Sequence, residues 1–529
     1  MLFTPRSRRG MVTAPHHLAS QAGLSVLRDG GNAVEAVVAM AATLAVVYPH
    51  MTGLGGDGFW LIAEPGKAPL AIDACGGAGG NVDVALYRRA GLDAVPWRGG
   101  LAANTVAGTV SGWQMALTEA STWGKPLALS RLLEDAIFLA ETGMAVTHSQ
   151  HELTRTKLDE LATAPGFAEH FLCDGSAPTE GTILRLPALA RTLRRLVTHG
   201  LDGFYRGALA ADIAADLAET GSPLVAADLA AHRAQRREAL SVRLGCGHLY
   251  NFPPPTQGLA SLIILALFDR LKVREAEGFA HVHGLVEATK QAFLVRDRVV
   301  GDPALMTETA QSWLDEAKLD ALAGRIDRHR ALPWPAPPSG GDTTWMGAVD
   351  GDGRAVSFIQ SIYFEFGSGV VLPRTGLIWQ NRGASFRVAE DGWNALRPRR
   401  KPFHTLNPAL ARLDDGRTMV YGTMGGEGQP QTQAAVFSRH VLFGQPLQHA
   451  LSAPRWLLGR TWGENSVSLK LEDRFDAELI DQLRQAGHAV ELLPAYSSTV
   501  GHAGAIVRRA DGWLEGATDP RSDGAVAGF

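Results

Sequence analysis

The stretch Ser339-Gly340-Gly341-Asp342-Thr343-Thr344-Trp345 is the most informative part of the sequence. Its first three residues end the segment 331–341, whose four prolines and two glycines are typical of an extended, exposed connector. After it, the apolar runs Thr344–Val349 and Ala355–Ile362 flank an Asp-Gly-Asp-Gly sequence, which predicts a β-hairpin. A connector therefore runs directly into a strand that begins with threonine.

This junction offers a specific chemistry. A threonine hydroxyl is a poor nucleophile without a base, but cutting the Asp342–Thr343 bond would give Thr343 a free α-amine. Such an amine has a pKa of roughly 7.7–8.0, so it could act as the base for the hydroxyl of its own residue. The pattern alone also fits an ordinary interdomain linker, and both interpretations stay open at this point.

The rest of the chain is predicted to be helix-rich up to about residue 330 and strand-rich beyond it. Apolar residues at helical spacing predict helices at Ser20–Arg28 and Ala33–Val47, and short apolar runs predict strands at Val370–Leu372 and Gly376–Trp379. The Gly-rich segment Gly53–Gly58 has the GxGxxG form, but a helix precedes it and a strand follows. It is therefore interpreted as a tight turn and not as a nucleotide site.

Composition excludes several classes of protein. The 529 residues are 46% hydrophobic and 20% charged, with a net charge of −4, which argues against a general nucleic-acid-binding protein. The three cysteines predict neither disulfides nor a metal site, and the 17 histidines show no metal-ligand motif. We therefore expect no metal and no cofactor. Without an apolar segment long enough for a membrane span or a secretory signal, a cytoplasmic location is expected.

Ten ordered segments resemble the γ-glutamyltransferase family of N-terminal nucleophile hydrolases, from near residue 10 to the last residue. They are Met11–His16, Gly30–Ala36, Gly53–Phe59, Asp202–Gly207, Phe252–Gly258, Asp342–Trp345, Phe366–Gly369, Met424–Gly428, Ala453–Arg455 and Asp519–Ser522. The resemblance implies an α+β fold, a four-layer αββα sandwich. It also implies that the precursor cleaves itself into a helix-rich large chain, 1–342, and a strand-rich small chain, 343–529. The two chains would form one composite αβ heterodimer that can dimerise further.

The same resemblance assigns the catalytic residues. Thr343 matches the family's nucleophile, and the cleavage site is the bond between Asp342 and Thr343. Gly425 and Gly426 match the glycine pair whose N–H groups form the oxyanion hole, a role that suits glycine because backbone donors must approach the oxyanion closely. Ser361 matches a hydroxyl residue that supports the nucleophile from the adjoining strand.

The chain departs from the family where a γ-glutamyl group would be recognised. Cys75 stands where the family has an arginine for the α-carboxylate, and Ser385 stands where it has an aspartate for the α-ammonium. His404-Thr405 replace paired serines, Tyr363 replaces an asparagine, and the lid loop at 386–401 is shorter. A zwitterionic γ-glutamyl donor is therefore a poor fit.

A new cation, Arg382, appears in the segment expected to line the pocket, and arginine can hold a carboxylate with two parallel bonds. Together with Asn381, Tyr363, His404 and Thr405 it predicts a small site for an amide that bears a carboxylate, with Arg382 and His404 orienting the carboxylate. Oxamate is the smallest such amide, and the departures resemble the oxamate amidohydrolases of purine degradation within this family. The alternatives are a γ-glutamyl hydrolase or transpeptidase, a glutaryl or β-lactam side-chain acylase, and a pseudoenzyme that never cleaves itself.

Overall fold

The computed structural model describes residues 3–334, 342–459 and 467–529 of the single chain. Most of the predicted connector, residues 335–341, lies outside the described residues. The strands, in chain order, are β1 (Arg6–Ser7), β2 (Gly10–Ala14), β3 (Asp57–Ala63), β4 (Leu70–Ala74), β5 (Met144–Ala145), β6 (Ile183–Leu184), β7 (Gln235–Glu238), β8 (Leu240–Leu244), β9 (Gly247–Asn251), β10 (Asp342–Asp350), β11 (Ala355–Tyr363), β12 (Ala409–Leu413), β13 (Thr418–Thr423), β14 (Trp456–Leu458), β15 (Leu469–Glu472), β16 (Val490–Leu493), β17 (Ala503–Arg508), β18 (Leu514–Thr518) and β19 (Ala525–Gly528).

The α-helices, in chain order, are α1 (His17–Arg28), α2 (Ala33–Val47), α3 (Val84–Arg89), α4 (Thr109–Glu119), α5 (Leu129–Leu132), α6 (Glu134–Thr142), α7 (His148–Thr156), α8 (Leu158–Leu161), α9 (Phe167–Phe171), α10 (Pro187–His199), α11 (Ala208–Glu219), α12 (Ala226–Ala231), α13 (Gly258–Leu271), α14 (Phe279–Val299), α15 (Glu316–Ala323), α16 (Gln429–Phe437), α17 (Leu447–Ser452) and α18 (Ala477–Gln485). None of the helices in the described ranges combines the length and hydrophobicity that crossing a membrane requires.

Two seven-stranded sheets form the centre of the molecule. One has the order β1-β18-β17-β13-β12-β9-β8, and the other has the order β19-β2-β10-β11-β3-β4-β7. Each sheet contains strands from both sides of the Asp342–Thr343 bond. The proposed large and small chains would therefore share both sheets, and neither could complete a sheet without the other.

Helices cover the outer face of each sheet. Helices α1 and α2 pack on the sheet that contains β10, while α13 and α16 pack on the other sheet. A third apolar cluster fills the space between the sheets. The arrangement is an αββα sandwich, which confirms the predicted fold class.

Strand β10 illustrates how the sequence builds these layers. Met346 and Ala348 face the helices, whereas Trp345 and Val349 face the second sheet, because successive side chains of a strand point to opposite faces. The indole of Trp345 fits between the sheets only because Gly422 and Gly504 lie opposite it. A Cβ atom on Gly422 would lie 2.2 Å from Trp345 Cδ1, and one on Gly504 would lie 2.4 Å from Cζ3. The two glycines thus allow the β10 strand to lie close to the second sheet.

The structure corrects several sequence predictions of local structure. The helix at Ala33–Val47 and the hairpin are confirmed, and the GxGxxG segment is the turn between α2 and β3. The strands predicted at Val370–Leu372 and Gly376–Trp379 are wrong: they share only one bridge, Val371 to Ile378. Positive φ values at Gly369 (+72°) and Gly376 (+67°) break the ladder there. The part before residue 330 is also richer in strands than predicted, since it contributes β7, β8 and β9.

Candidate active site

Thr343 lies at the end of the layer between the two sheets and is fully buried. It shares the inward face of β10 with Trp345, so its side chain points into the sandwich. Its Oγ1 accepts a hydrogen bond from Gln429 Nε2 at 3.4 Å. Gln429 begins α16, and its own Oε1 accepts from the amide of Asn407 at 3.2 Å. The threonine is thus in contact with the helix that packs on the opposite sheet.

A bulge lies beside Thr343 in the ladder between β10 and β11. Asp342 pairs with Tyr363 and Thr344 pairs with Gln360, so two residues of β11 face the single residue Thr343. One of them is Ser361, whose Oγ accepts from the amide of Tyr363 at 2.8 Å. Tyr363 has a φ of +84°, a conformation that is strained for a tyrosine. Bulges and strain of this kind turn side chains toward a site.

The loop that contains Gly425 and Gly426 lies on the other side of the layer, after β13. Gly425 has a φ of +117° and Gly426 a φ of +50°, conformations that favour glycine. Gly426 starts a short helical segment that continues into α16. The first N–H groups of a helix have no partner within it and carry partial positive charge. They are therefore suited to stabilise an oxyanion beside Thr343.

Gln257 links this loop to the substrate-binding residues. Its Nε2 donates to the carbonyl oxygens of Gly426 and Thr405, both at 2.8 Å. Its Oε1 accepts from Arg296 Nη1 at 2.9 Å, and Arg296 in turn pairs with Glu427 at 2.9 Å. All these side chains are buried. Gln257 is not among the residues predicted from the sequence, although it lies within the matched segment Phe252–Gly258.

Arg382 is fully buried next to this network. Its guanidinium stacks on the ring of Tyr363, with Cζ 3.7 Å from the ring centroid, and its Nη1 donates to Thr405 Oγ1 at 3.3 Å. Its Nε and Nη2 have no hydrogen-bond partner among the described residues. Burial lowers the pKa of Arg382 to about 10, which leaves the guanidinium charged at neutral pH. Three of the predicted site residues, Arg382, Tyr363 and Thr405, therefore lie together.

His404 also lies in this cluster, and it brings a residue that the sequence analysis did not single out. Its Nε2 lies 3.2 Å from Oδ2 of Asp57, and both side chains are fully buried. Its ring packs edge-on against Phe59, and its Nδ1 has no partner among the described residues. Burial raises the pKa of Asp57 to about 7 and lowers the pKa of His404 well below its ordinary value.

The side chains of Asn381 and Ser385 form hydrogen bonds to the backbone around the site. The Asn381 side chain accepts from the amide of Phe364 at 3.1 Å and donates to the Trp97 carbonyl at 2.9 Å. Both ends of its amide are therefore occupied, and it holds the backbone around the site. The Ser385 hydroxyl donates to the Phe403 carbonyl at 3.2 Å.

Within the described ranges, two groups of side chains have the composition of a metal site. One is Asp57, Cys75 and His404, and the other is His283, Glu287 and His488. In the first, burial raises the pKa of the Cys75 thiol well above its ordinary value, which disfavours the thiolate that binds metals. In the second, His283 Nδ1 lies 2.9 Å from His488 Nε2, and Glu287 pairs with Lys290 at 2.6 Å. The second group could not be predicted from local spacing, because His488 lies 205 positions from His283.

Comparison with known proteins agrees with this geometry. Residues 19–529 match the family model described as gamma-glutamyltranspeptidase. The chain is 56% identical to the oxamate amidohydrolase proenzyme of Klebsiella pneumoniae over 99% of both chains. It is 41% identical to a glutathione hydrolase-like proenzyme of Bacillus subtilis over 98% of both. The crystal structure of cephalosporin acylase from Bacillus halodurans superposes with a TM-score of 0.91 at 31% identity, covering 100% of this chain and 97% of that one. The chain therefore belongs to the gamma-glutamyltranspeptidase family of N-terminal nucleophile hydrolases.

Proposed function

We propose that this chain is the precursor of a threonine amidohydrolase that hydrolyses oxamate to oxalate and ammonia. It cleaves itself between Asp342 and Thr343, and residues 1–342 and 343–529 remain together as a heterodimer. The 56% identical relative is named an oxamate amidohydrolase proenzyme, which supports both the processing and the substrate. Composition and resemblance favour a cytoplasmic enzyme of purine degradation.

The burial and the hydrogen-bonding state of Arg382 indicate the substrate class. Arg382 is a fully buried cation with two donor nitrogens that have no partner among the described residues. It stacks on Tyr363, which pairs with Asp342, the residue before the nucleophile. A carboxylate satisfies such a guanidinium with two charge-assisted hydrogen bonds. The guanidinium contacts Tyr363 and Thr405, and all of these side chains and that of His404 are buried, which suits a small acid better than a long acyl chain.

The chemistry follows from the position of Thr343. After cleavage its α-amine takes the hydroxyl proton while Oγ1 attacks the amide carbon of oxamate. The amide N–H groups of Gly425 and Gly426 stabilise the oxyanion. The protonated amine then gives its proton to the leaving nitrogen, and ammonia departs. Water attacks the acyl-enzyme, and oxalate leaves with the regeneration of the Thr343 hydroxyl.

The test is release of ammonia by the purified protein from a panel of amides. Oxamate should be hydrolysed far faster than glutaryl or γ-glutamyl amides. A glutaryl amide is included because a side-chain acylase is the alternative left open by the sequence, and the chain is similar to a cephalosporin acylase. Faster release of the aniline from a γ-glutamyl anilide than of ammonia from oxamate would overturn the proposal, and so would one intact species of 56.4 kDa in place of two chains.

A further inference from the structure

We propose that Asp57 holds the proton of His404 on Nε2, so that His404 Nδ1 accepts a hydrogen bond from the substrate's amide N–H. His404 would then distinguish an amide from an ester or a second carboxylate, and Asp57 would be a positioning residue. This inference rests on the proposed function and assigns His404 to the amide, leaving the carboxylate to Arg382.

The buried atoms without partners define what the site can bind. Among the described residues, Arg382 Nε and Nη2 and His404 Nδ1 have no hydrogen-bond partner, although both side chains are fully buried. Buried polar atoms are almost always hydrogen-bonded, so these three atoms call for a water molecule, an ion or a ligand as partner. Arg382 offers only donors. A ligand that satisfies both residues carries an anionic acceptor for Arg382. It also carries, for His404 Nδ1, a group of the opposite hydrogen-bonding type.

The hydrogen bonds around Asp57 determine whether His404 Nδ1 is a donor or an acceptor. Asp57 Oδ1 accepts from the amides of Gly76 and Gly108, both at 3.1 Å, and from Gln380 Nε2 at 3.2 Å. That oxygen must be an acceptor, so Oδ2 is left to face His404 Nε2. Burial raises the pKa of Asp57 to about 7, so above that pH the carboxylate is ionised and has no proton to donate, and Nε2 carries the hydrogen. Burial keeps the imidazole neutral, so Nδ1 keeps its lone pair.

An acceptor at this position matches oxamate and opposes oxalate. The carboxylate of oxamate takes the open donors of Arg382, and an N–H of its amide meets the lone pair of His404 Nδ1. In oxalate an oxygen lone pair stands where the amide N–H was, and two lone pairs repel each other. The same contact therefore favours the substrate and promotes release of the product.

The substitution Asp57→Asn tests this with almost no change of shape. Three donors converge on Oδ1, so the asparagine must keep its carbonyl oxygen there and point its Nδ2 at His404 Nε2. His404 Nε2 then becomes the acceptor, and the imidazole proton moves to Nδ1 of His404. We expect kcat/KM for oxamate relative to monomethyl oxalate, an ester with the same carboxylate, to fall roughly tenfold or more. Inhibition by oxalate should become stronger.

Matched variants separate this effect from general damage. Arg382→Lys should lower kcat/KM for the amide and the ester alike and leave their ratio unchanged, because both substrates carry the carboxylate. His404→Gln keeps a polar group near the Nε2 position and should lose the amide preference. His404→Asn keeps a polar group near the Nδ1 position and should retain part of the amide preference. Cleavage into two chains reports folding of every variant.

An Asp57→Asn enzyme that is processed and active with an unchanged amide-to-ester ratio would overturn the inference. If that variant is not processed, the two His404 variants decide: equal ratios in both would overturn it. Failure of the unmodified enzyme to release ammonia from oxamate would instead sink the proposed function, so the two failures are distinguishable.

Discussion

His404 Nε2 lies 3.2 Å from Asp57 Oδ2, although the two residues are 347 positions apart in the chain. Asp57 begins β3, two strands from the nucleophile strand β10 in the same sheet. His404 precedes β12 of the opposite sheet. The pair therefore joins the two sheets at the end of the sandwich where Thr343 lies, since Asp57 pairs with Ser361 beside the bulge.

Replacing Thr343 with alanine should leave a single uncleaved and inactive chain, because both the hydroxyl and the future α-amine belong to this residue. Mass spectrometry of the purified variant measures the outcome. In the unmodified protein, N-terminal sequencing of the small chain should begin at Thr343. A start at any other residue would refute the assignment of the nucleophile.

Replacing Arg382 with alanine should lower kcat/KM for oxamate while self-cleavage continues, because processing uses no substrate carboxylate. Loss of a buried charge-assisted contact costs about 2–5 kcal/mol, which is roughly 30- to several-thousand-fold in rate. Lysine at this position keeps the charge but not the planar fork and should also be impaired. Near-normal hydrolysis of oxamate by a processed Arg382→Ala enzyme would contradict the carboxylate assignment.

Replacing Gly504 with alanine should destabilise the fold and slow self-cleavage. The new Cβ would lie 2.4 Å from Trp345 Cζ3, and Trp345 lies two residues from Thr343 on the same face of β10. Overpacking of this kind costs about 1–3 kcal/mol, measurable as a lower melting temperature. The control is Gly245→Ala, in an exposed turn where the nearest atom to a new Cβ is 3.8 Å away. Equal melting temperatures for the two variants would show that the tight fit around Trp345 is unimportant.

Replacing Gln257 with glutamate should lower kcat more than it changes KM. The carboxylate still accepts from Arg296 but can no longer donate to the carbonyls of Gly426 and Thr405. The loop that holds the oxyanion would shift, and small shifts of catalytic groups cost about a hundredfold in rate. Steady-state kinetics on the processed variant measures the effect. A normal kcat would mean that the loop keeps its position without this bridge.

The preference for oxamate over monomethyl oxalate should rise with pH through about 7. Burial raises the pKa of Asp57 to about 7, and below that pH the protonated acid donates to His404 Nε2 and makes Nδ1 a donor. The groups that act on Asp57 and His404 are Arg382, Cys75, Tyr205 and Lys401. Burial keeps Cys75 and Tyr205 neutral, and Arg382 stays charged. The Thr343 amine titrates for both substrates, so it cancels in the ratio of kcat/KM values. A ratio that does not change between pH 6 and 8 would contradict this prediction.

Much of the molecule follows from the sequence by itself, because local composition encodes it. The helix at Ala33–Val47 has an Asn32 cap and a continuous apolar run, and the hairpin after Thr343 has a clear turn. The nucleophile, the cleavage site and the oxyanion glycines are predicted through the resemblance of short segments to a known family, because the pattern around Thr343 alone also fits a linker. The loss of the usual carboxylate and ammonium partners at Cys75 and Ser385 is also visible without a structure.

Only the tertiary structure decided how the site is assembled. Strand β7, Gln235–Glu238, has no apolar residue, so its place in the sheet depends on pairing with β4 and not on a pattern within it. The stacking of Arg382 on Tyr363 requires the left-handed backbone conformation of Tyr363. This conformation occurs at the bulge beside Thr343. The proton position of His404 depends on Asp57, and that of Asp57 on three donors from three other segments. Hydrogen bonds between distant residues form only when the sheets pack, so no local stretch of sequence records them.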